Sequence, residues 1–260
     1  MAMSPRAPTS ASAVLLLCVA VTLLCSCSVT ASSSDPITSF VPLDALSMQE
    51  QVLDDNNSWD YMLLVVRWAP TVCLTHSDCI YPSNATIVNI HGLWPNRNDG
   101  SWPSNCDNSY PFNFTQIAPI YSQLLEVWTS FYGGADSTIG FYEHEWEKHG
   151  TCAIQGGKGL RNEFDYFQAV YNLFKKLDAE GALRASGIVP SSSKKYPTLD
   201  IQSAIANNIG GNVPSVSCTN YQGNSYLNEI QICVDKSLQF MKCPSAPKTG
   251  CDSVMLLPAQ

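Results

Sequence analysis

The chain has 260 residues, of which 45% are hydrophobic and only 14% charged, with a formal net charge of −8. This composition excludes a disordered polymer, and the length suits one large domain better than two small ones. The acidic balance argues against a general nucleic-acid binder, which carries a basic footprint, yet leaves room for a small cationic site.

In chain order, residues 1–31 have the layout of a secretory signal peptide: Arg6 at the start, an apolar run over 13–24, and small residues around Ala31. The run is short of the roughly 20 residues a membrane span needs, and no second one follows, so a soluble, exported protein is expected. Removing Arg6, the one charge in that segment, leaves 13 basic against 22 acidic side chains, a net charge of −9. Residues 32–58 are polar and mixed and read as a loosely held lead-in to a single domain over 59–260. "YMLLVVRW" reads as a buried strand, and the segment from Pro70 to Pro82 as a stapled loop. A second strand is expected over 86–91, ended by Gly92 and Pro95 and followed by a turn-rich loop. Residues 116–131, 163–177 and 198–209 carry helical apolar spacing, while 226–234 alternate like a strand and 253–258 form the last one. Strands and helices mix without βαβ alternation, which predicts an α+β fold: an antiparallel sheet flanked by helices.

Eleven cysteines are an odd count, but Cys18, Cys25 and Cys27 lie in the signal segment. The remaining eight, Cys73, Cys79, Cys106, Cys152, Cys218, Cys233, Cys243 and Cys251, form an even set that predicts four disulfides in an oxidising compartment. Their pairing is open, with about 105 arrangements possible. No C-x-x-C pair offers zinc-ribbon spacing. Asn56, Asn84 and Asn113 each open an N-x-S/T triplet, which predicts N-glycans and surface positions.

Half of the four histidines fall in "FYEHEWEKHGTC", residues 141–152. If 141–150 is a helix capped by Gly150, about 100° per residue places His144, Lys148, Phe141, Glu145 and His149 within an arc of roughly 140°. Trp146 and Glu147 fall outside it. A zinc H-E-x-x-H site needs histidines four apart; these are five apart and diverge, so no metal is expected. A hydrolase triad lacks its nucleophile, since no G-x-S-x-G elbow occurs and Cys152 is better spent in a disulfide. "QGGKGL", residues 155–160, is not a P-loop, because its upstream glycine is replaced by Cys152. A lysine beside two imidazoles suits an anionic phosphoryl group: the cations stabilise developing charge and a neutral imidazole takes a proton. Acid–base chemistry needs a partner across the scissile bond, and His91, at the end of a predicted strand in "IHGLWP", is placed for it. Alone, a histidine at a strand end is more often structural and a charged helix face more often merely solvated. Together, each followed by a cysteine, the two segments favour a site, whereas His76 has no such support.

On these residues the chain resembles the ribonuclease T2 family, the secreted or lysosomal/vacuolar acid endoribonucleases. "IHGLWP" and "HEWEKHGTC" are similar to the family's two active-site segments, and "SVSC…IQICVD…MKC…C" to its cysteine-rich end. The form of the second segment, with Cys73 and Cys79 upstream, looks closer to animal-type members than to plant ones. The resemblance implies attack of the ribose 2′-OH on phosphorus, giving a 2′,3′-cyclic phosphate and a 5′-OH, with DNA resistant and no cofactor. It implies His149 as general base, His91 as general acid, Lys148 and Glu145 at the transition state, and His144 on phosphate. Trp94, Asn96 and Trp102 would hold the first base and Phe141 the second, by stacking and amide contacts. Val66 stands where many relatives carry glutamine, which removes a polar contact to the second base. The implied disulfides are Cys73–Cys79, Cys106–Cys152, Cys218–Cys251 and Cys233–Cys243.

The expected protein is thus an exported or lysosomal, glycosylated, monomeric and metal-independent RNA-cutting enzyme of low base specificity. Two rivals remain: a family-like glycoprotein that acts by binding, with catalysis dispensable, and a metallohydrolase.

Overall fold

The computed structural model describes residues 57–133 and 135–259. The expected signal peptide and Asn56 lie outside them, as does all of the lead-in but Asn57 and Ser58. The elements are β1 (Tyr61–Trp68), α1 (Ala69–Leu74), β2 (Val88–Asn96), α2 (Phe114–Ile117), a 3-10 turn (Ala118–Ile120), α3 (Tyr121–Val127), α4 (Ala135–Glu145), a π turn (Trp146–Gly150) and α5 (Thr151–Ala153). They continue with α6 (Glu163–Leu177), α7 (Ala179–Ala185), β3 (Ser191–Pro197), α8 (Thr198–Asn208), β4 (Ser215–Tyr221), β5 (Asn224–Val234) and β6 (Val254–Leu257).

Six strands form one sheet in the order β2-β1-β5-β6-β3, with β4 paired to β5. The α+β class is as expected, but the sheet is mixed: β5 meets β6 in parallel, at Tyr226 and Leu256. β1 lies inside the sheet, between β2 and β5, so both of its edges are paired, and side chains on both of its faces are buried, which accounts for its nearly continuous apolar run. Met62, Leu64, Val66 and Trp68 face the main core with Ile90, Ile230, Ile232 and Val234. The intervening Leu63, Val65 and Arg67 point to the opposite face, as strand alternation requires.

Several elements differ from the sequence reading. β2 runs through Gly92 and Pro95 to Asn96, because as an edge strand it can hold a proline without losing an internal ladder bond. Pro70 sits in the first turn of the helix α1 instead of a loop, a turn that needs no N–H there. The helix expected over 116–131 is broken at Pro119 into α2, the 3-10 turn and α3. Gly150 caps nothing: its backbone is right-handed and the chain stays helical to Ala153. Its lack of a side chain instead lets the Trp146 ring lie against it, where a Cβ would overlap the indole. α7, β3 and β4 were not foreseen. By contrast, α6 keeps its expected bounds, opened by Asn162, whose side chain accepts from the Asp165 N–H.

The cysteines pair as Cys73–Cys79, Cys106–Cys152, Cys218–Cys251 and Cys233–Cys243. Among the described residues no helix is long and apolar enough to cross a membrane. Asn84 and Asn113 are exposed.

Candidate active site

Two backbone irregularities set the site. The β1–β2 register pairs Val65 with Gly92 and Val66 with Ile90, so His91 is the extra residue of a bulge. A bulge re-aims the side chain it carries, and His91 sits half-buried beside β5. Its Nδ1 lies 2.6 Å from Glu229 Oε1 on β5, and its carbonyl accepts from the Trp128 indole at 3.0 Å. The second irregularity is the π turn, in which the Thr151 N–H donates to the carbonyl of Trp146, five residues back. A π turn inside a helix often marks a functional site. Here it carries Trp146 into the core and corrects the regular-helix arc, bringing the His144 and His149 rings to 6.5 Å between centroids.

Trp94 lies between the two segments. Its ring stacks on His149 at 5.2 Å and meets the edge of His91 at 4.9 Å. Its indole N–H donates to Glu145 Oε2 at 2.9 Å. Gly92 leaves the room for this bond, since a Cβ there would overlap both Glu145 Oε2 and Trp94 Nε1. His91, Trp94, Asn96, Trp102, His144, Glu145, Lys148 and His149 therefore line one cleft of about 380 Å³. Trp102 is 61% exposed and is the freer stacking face. Asn96 is buried and spends one amide donor on the Trp94 carbonyl. Phe141 is outside this lining and half-buried, 5.9 Å from the His91 ring. Its other neighbour is the Arg67 guanidinium, 5.0 Å from the Phe141 centroid.

The electrostatics divide the groups. Burial, reinforced by Lys148, His144 and His91, holds the His149 imidazole down to about 3. Its Nδ1 has no hydrogen-bond partner among the described residues. His144 is lowered too, by burial and then by Lys148. Glu145 is pushed up to about 7 by burial, only partly offset by His91 and the Trp94 bond. Its carboxyl is thus neutral in acid solution and able to donate. Such a cleft can take a proton at His149, give one from His91, and neutralise an anion between them. Among the described residues, no group of three or more His, Cys, Asp or Glu side chains could hold a metal ion.

Sequence reasoning missed Glu229, Arg67, Leu63 and Lys248. Arg67 is buried, donates to the Thr129 carbonyl at 2.7 Å and lies 4.8 Å from the Phe131 ring centroid. A charged residue inside an apolar strand was the available signal for it. Leu63 and Lys248 complete the cleft wall.

Comparison with known proteins identifies the family. Residues 59–243 match the Ribonuclease T2 family. Ribonuclease 1 of Arabidopsis thaliana is 35% identical over 209 residues, 78% of this chain and 88% of that protein. Extracellular ribonuclease LE of Solanum lycopersicum is 33% identical over 232 residues, 87% and 99% of the two chains. Human ribonuclease T2 is 29% identical over 75% of this chain and 74% of its own. The crystal structure of RNase NT in complex with 5'-AMP has a TM-score of 0.70 at 32% identity, covering 77% of this chain and 98% of that one. The family match spans both site segments and most of the chain, and on that ground the chain belongs to the ribonuclease T2 family.

Proposed function

We propose that the chain is an endoribonuclease that cuts RNA by transphosphorylation. His149 removes the proton of the ribose 2′-OH, whose oxygen attacks the adjacent phosphorus. The P–O5′ bond breaks, and His91 protonates the leaving 5′-oxygen, giving a 2′,3′-cyclic phosphate and a 5′-OH. The observation that carries this reading is the pair of imidazoles on either side of Trp94, one buried and neutral, the other backed by a carboxylate. Lys148 neutralises the phosphoryl oxygens, His144 hydrogen-bonds them, and Glu145, protonated below about 7, donates to them without repelling them. Trp94, Trp102 and Asn96 hold the first base and Phe141 the second. No metal or other cofactor takes part. The protein works as an exported or lysosomal monomer with N-glycans at Asn56, Asn84 and Asn113, after loss of residues 1–31, with 59–260 as its one catalytic domain.

The test is to incubate the mature protein with matched RNA and DNA oligonucleotides at about pH 5, below the free imidazole value, with EDTA present. Mass spectrometry should find RNA ending in 2′,3′-cyclic phosphate beside intact DNA. Absence of cleavage in correctly oxidised protein would favour the binding-protein alternative, and loss of cleavage to EDTA alone the metallohydrolase.

A further inference from the structure

The cleft has a wall that neither active-site segment supplies. Lys248 lines the same cavity as His91, Trp102 and Lys148, yet it comes from the segment between Cys243 and Cys251. We propose that Lys248 binds a phosphate neighbouring the scissile one, so that the cleft takes RNA longer than a dinucleotide. The inference rests on the ribonuclease reading above.

Three observations support it. First, the backbone of Lys248 is fixed. Its N–H donates to Ser215 Oγ at 2.9 Å and its carbonyl accepts from the Val216 N–H at 3.1 Å. Thr249 bridges Val216, and the Gly250 N–H donates to the Val216 carbonyl at 3.2 Å. The Cys218–Cys251 disulfide anchors the segment just beyond. Second, the ammonium is exposed and unpaired: the ion pairs among the described residues join His91 to Glu229, Arg161 to Asp165 and Arg184 to Glu180. Third, the sheet face between His91 and Lys248 carries polar side chains among its apolar ones, where the opposite face is apolar. Val65 pairs with Gln231, and Gln231 with Ser215, so these side chains share the face that carries Leu63. Gln231 in turn donates to Glu229 Oε2 at 3.3 Å. RNA places one negative charge on every nucleotide, and the scissile phosphate already faces Lys148 and His144. A second fixed cation in the same cleft matches the next charge along the strand. In a chain this acidic, local cations must supply what long-range attraction cannot.

The experiment compares wild type, Lys248→Ala, Lys248→Arg and Lys248→Glu on a dinucleoside monophosphate and a ten-nucleotide RNA. Binding of 2′-deoxy strands of the same two lengths, which lack the attacking hydroxyl, is measured alongside. For Lys248→Ala, the preference for the long strand over the short one should fall by on the order of tenfold, through KM in cleavage and through Kd in binding. The log–log salt slope of long-strand binding should become shallower by about 0.7. Arginine should preserve the preference and glutamate reduce it further. An unchanged preference and salt slope in Lys248→Ala would overturn the proposal. If wild type cuts no RNA but the 2′-deoxy strands show the Lys248 dependence, the ribonuclease reading fails while the phosphate site stands.

Discussion

Glu229 offers the sharpest test of how the site works. It touches His91 and lies outside the cleft lining, so it should act by fixing the imidazole for proton donation. The side chains of His91 and Glu229 are 31% and 15% exposed, which sets the contact between a surface ion pair and a dry one. A surface pair is worth about 0–1 kcal/mol, while a hydrogen bond to a charged group is worth about 1.5–3 kcal/mol. The 2.6 Å separation and partial shielding place this contact in the second range. Glu229→Ala should therefore lower kcat by roughly ten- to 150-fold, at 1.36 kcal/mol per decade. Glu229→Gln keeps an acceptor for the Nδ1–H but loses the charge, and should fall by only about five- to fifteenfold. The assay is steady-state cleavage of a dinucleoside monophosphate at about pH 5, with thermal melting of each variant alongside. KM should change little, because neither variant alters the groups that face phosphate or base. Alanine activity within twofold of wild type would refute the reasoning. So would glutamine as poor as alanine at unchanged melting temperature, since charge and orientation would then not be separable.

Three further outcomes follow from the same geometry. The base must be neutral and its imidazole is held down to about 3, so kcat/KM should stay level through the acid range and fall only as pH approaches that value; an acid limb near the free imidazole value of about 6.5 would refute a base whose pKa is lowered by burial. Lys148→Ala removes one of the like charges that lower His149, and should move that limb to higher pH while reducing the rate. Glu145 is neutral below about 7, so at pH 5 Glu145→Gln should stay within about tenfold of wild type, whereas Glu145→Asp, one methylene shorter, should lose the Trp94 bond and do worse; aspartate outperforming glutamine would refute this. Replacing Cys106 and Cys152 by alanine opens a loop with a sequence separation of 46 and should destabilise the fold by about 4 kcal/mol, read from the midpoint of a urea melt.

Local pattern revealed the scaffold where one period held along the whole element. "YMLLVVRW" and "EFDYFQAVYNLFKKL" were legible as β1 and α6 because each is long, apolar on the right positions and closed by the expected residues. β2 was cut short because glycine and proline were read as stops, a rule that fails at a sheet edge. β4 was illegible because its sequence, "SVSCTNY", is short and polar, and it gains its order by pairing with β5. Within the site, every group on the two motif segments was visible in the sequence. Glu229 was not, since it lies 138 residues from His91 and stands at an ordinary polar position of an alternating strand. Lys248 likewise carries no local mark, and reaches the cleft only through the register of β4 and its disulfide.

The placement of His91, His144 and His149 also explains why periodicity alone could not draw the site. Regular geometry at about 100° per residue sends His149 roughly 140° away from His144 and leaves no arc they share closely. The π turn alters that angle, and the bulge opposite it moves His91 out of the alternation of β2. Each irregularity is then held by something rigid. Trp128 binds the His91 carbonyl, Trp146 packs against Gly150, and the Trp94–Glu145 bond ties the strand to the helix. The same tie fixes the spacing, because the Trp94 ring touches both imidazoles and cannot leave without surrendering its bond to a buried carboxyl. Neither motif makes the cleft by itself: "IHGLWP" supplies His91 and Trp94, "HEWEKHGTC" supplies His144, Glu145, Lys148 and His149, and the cleft exists only where the two departures from regular structure face each other.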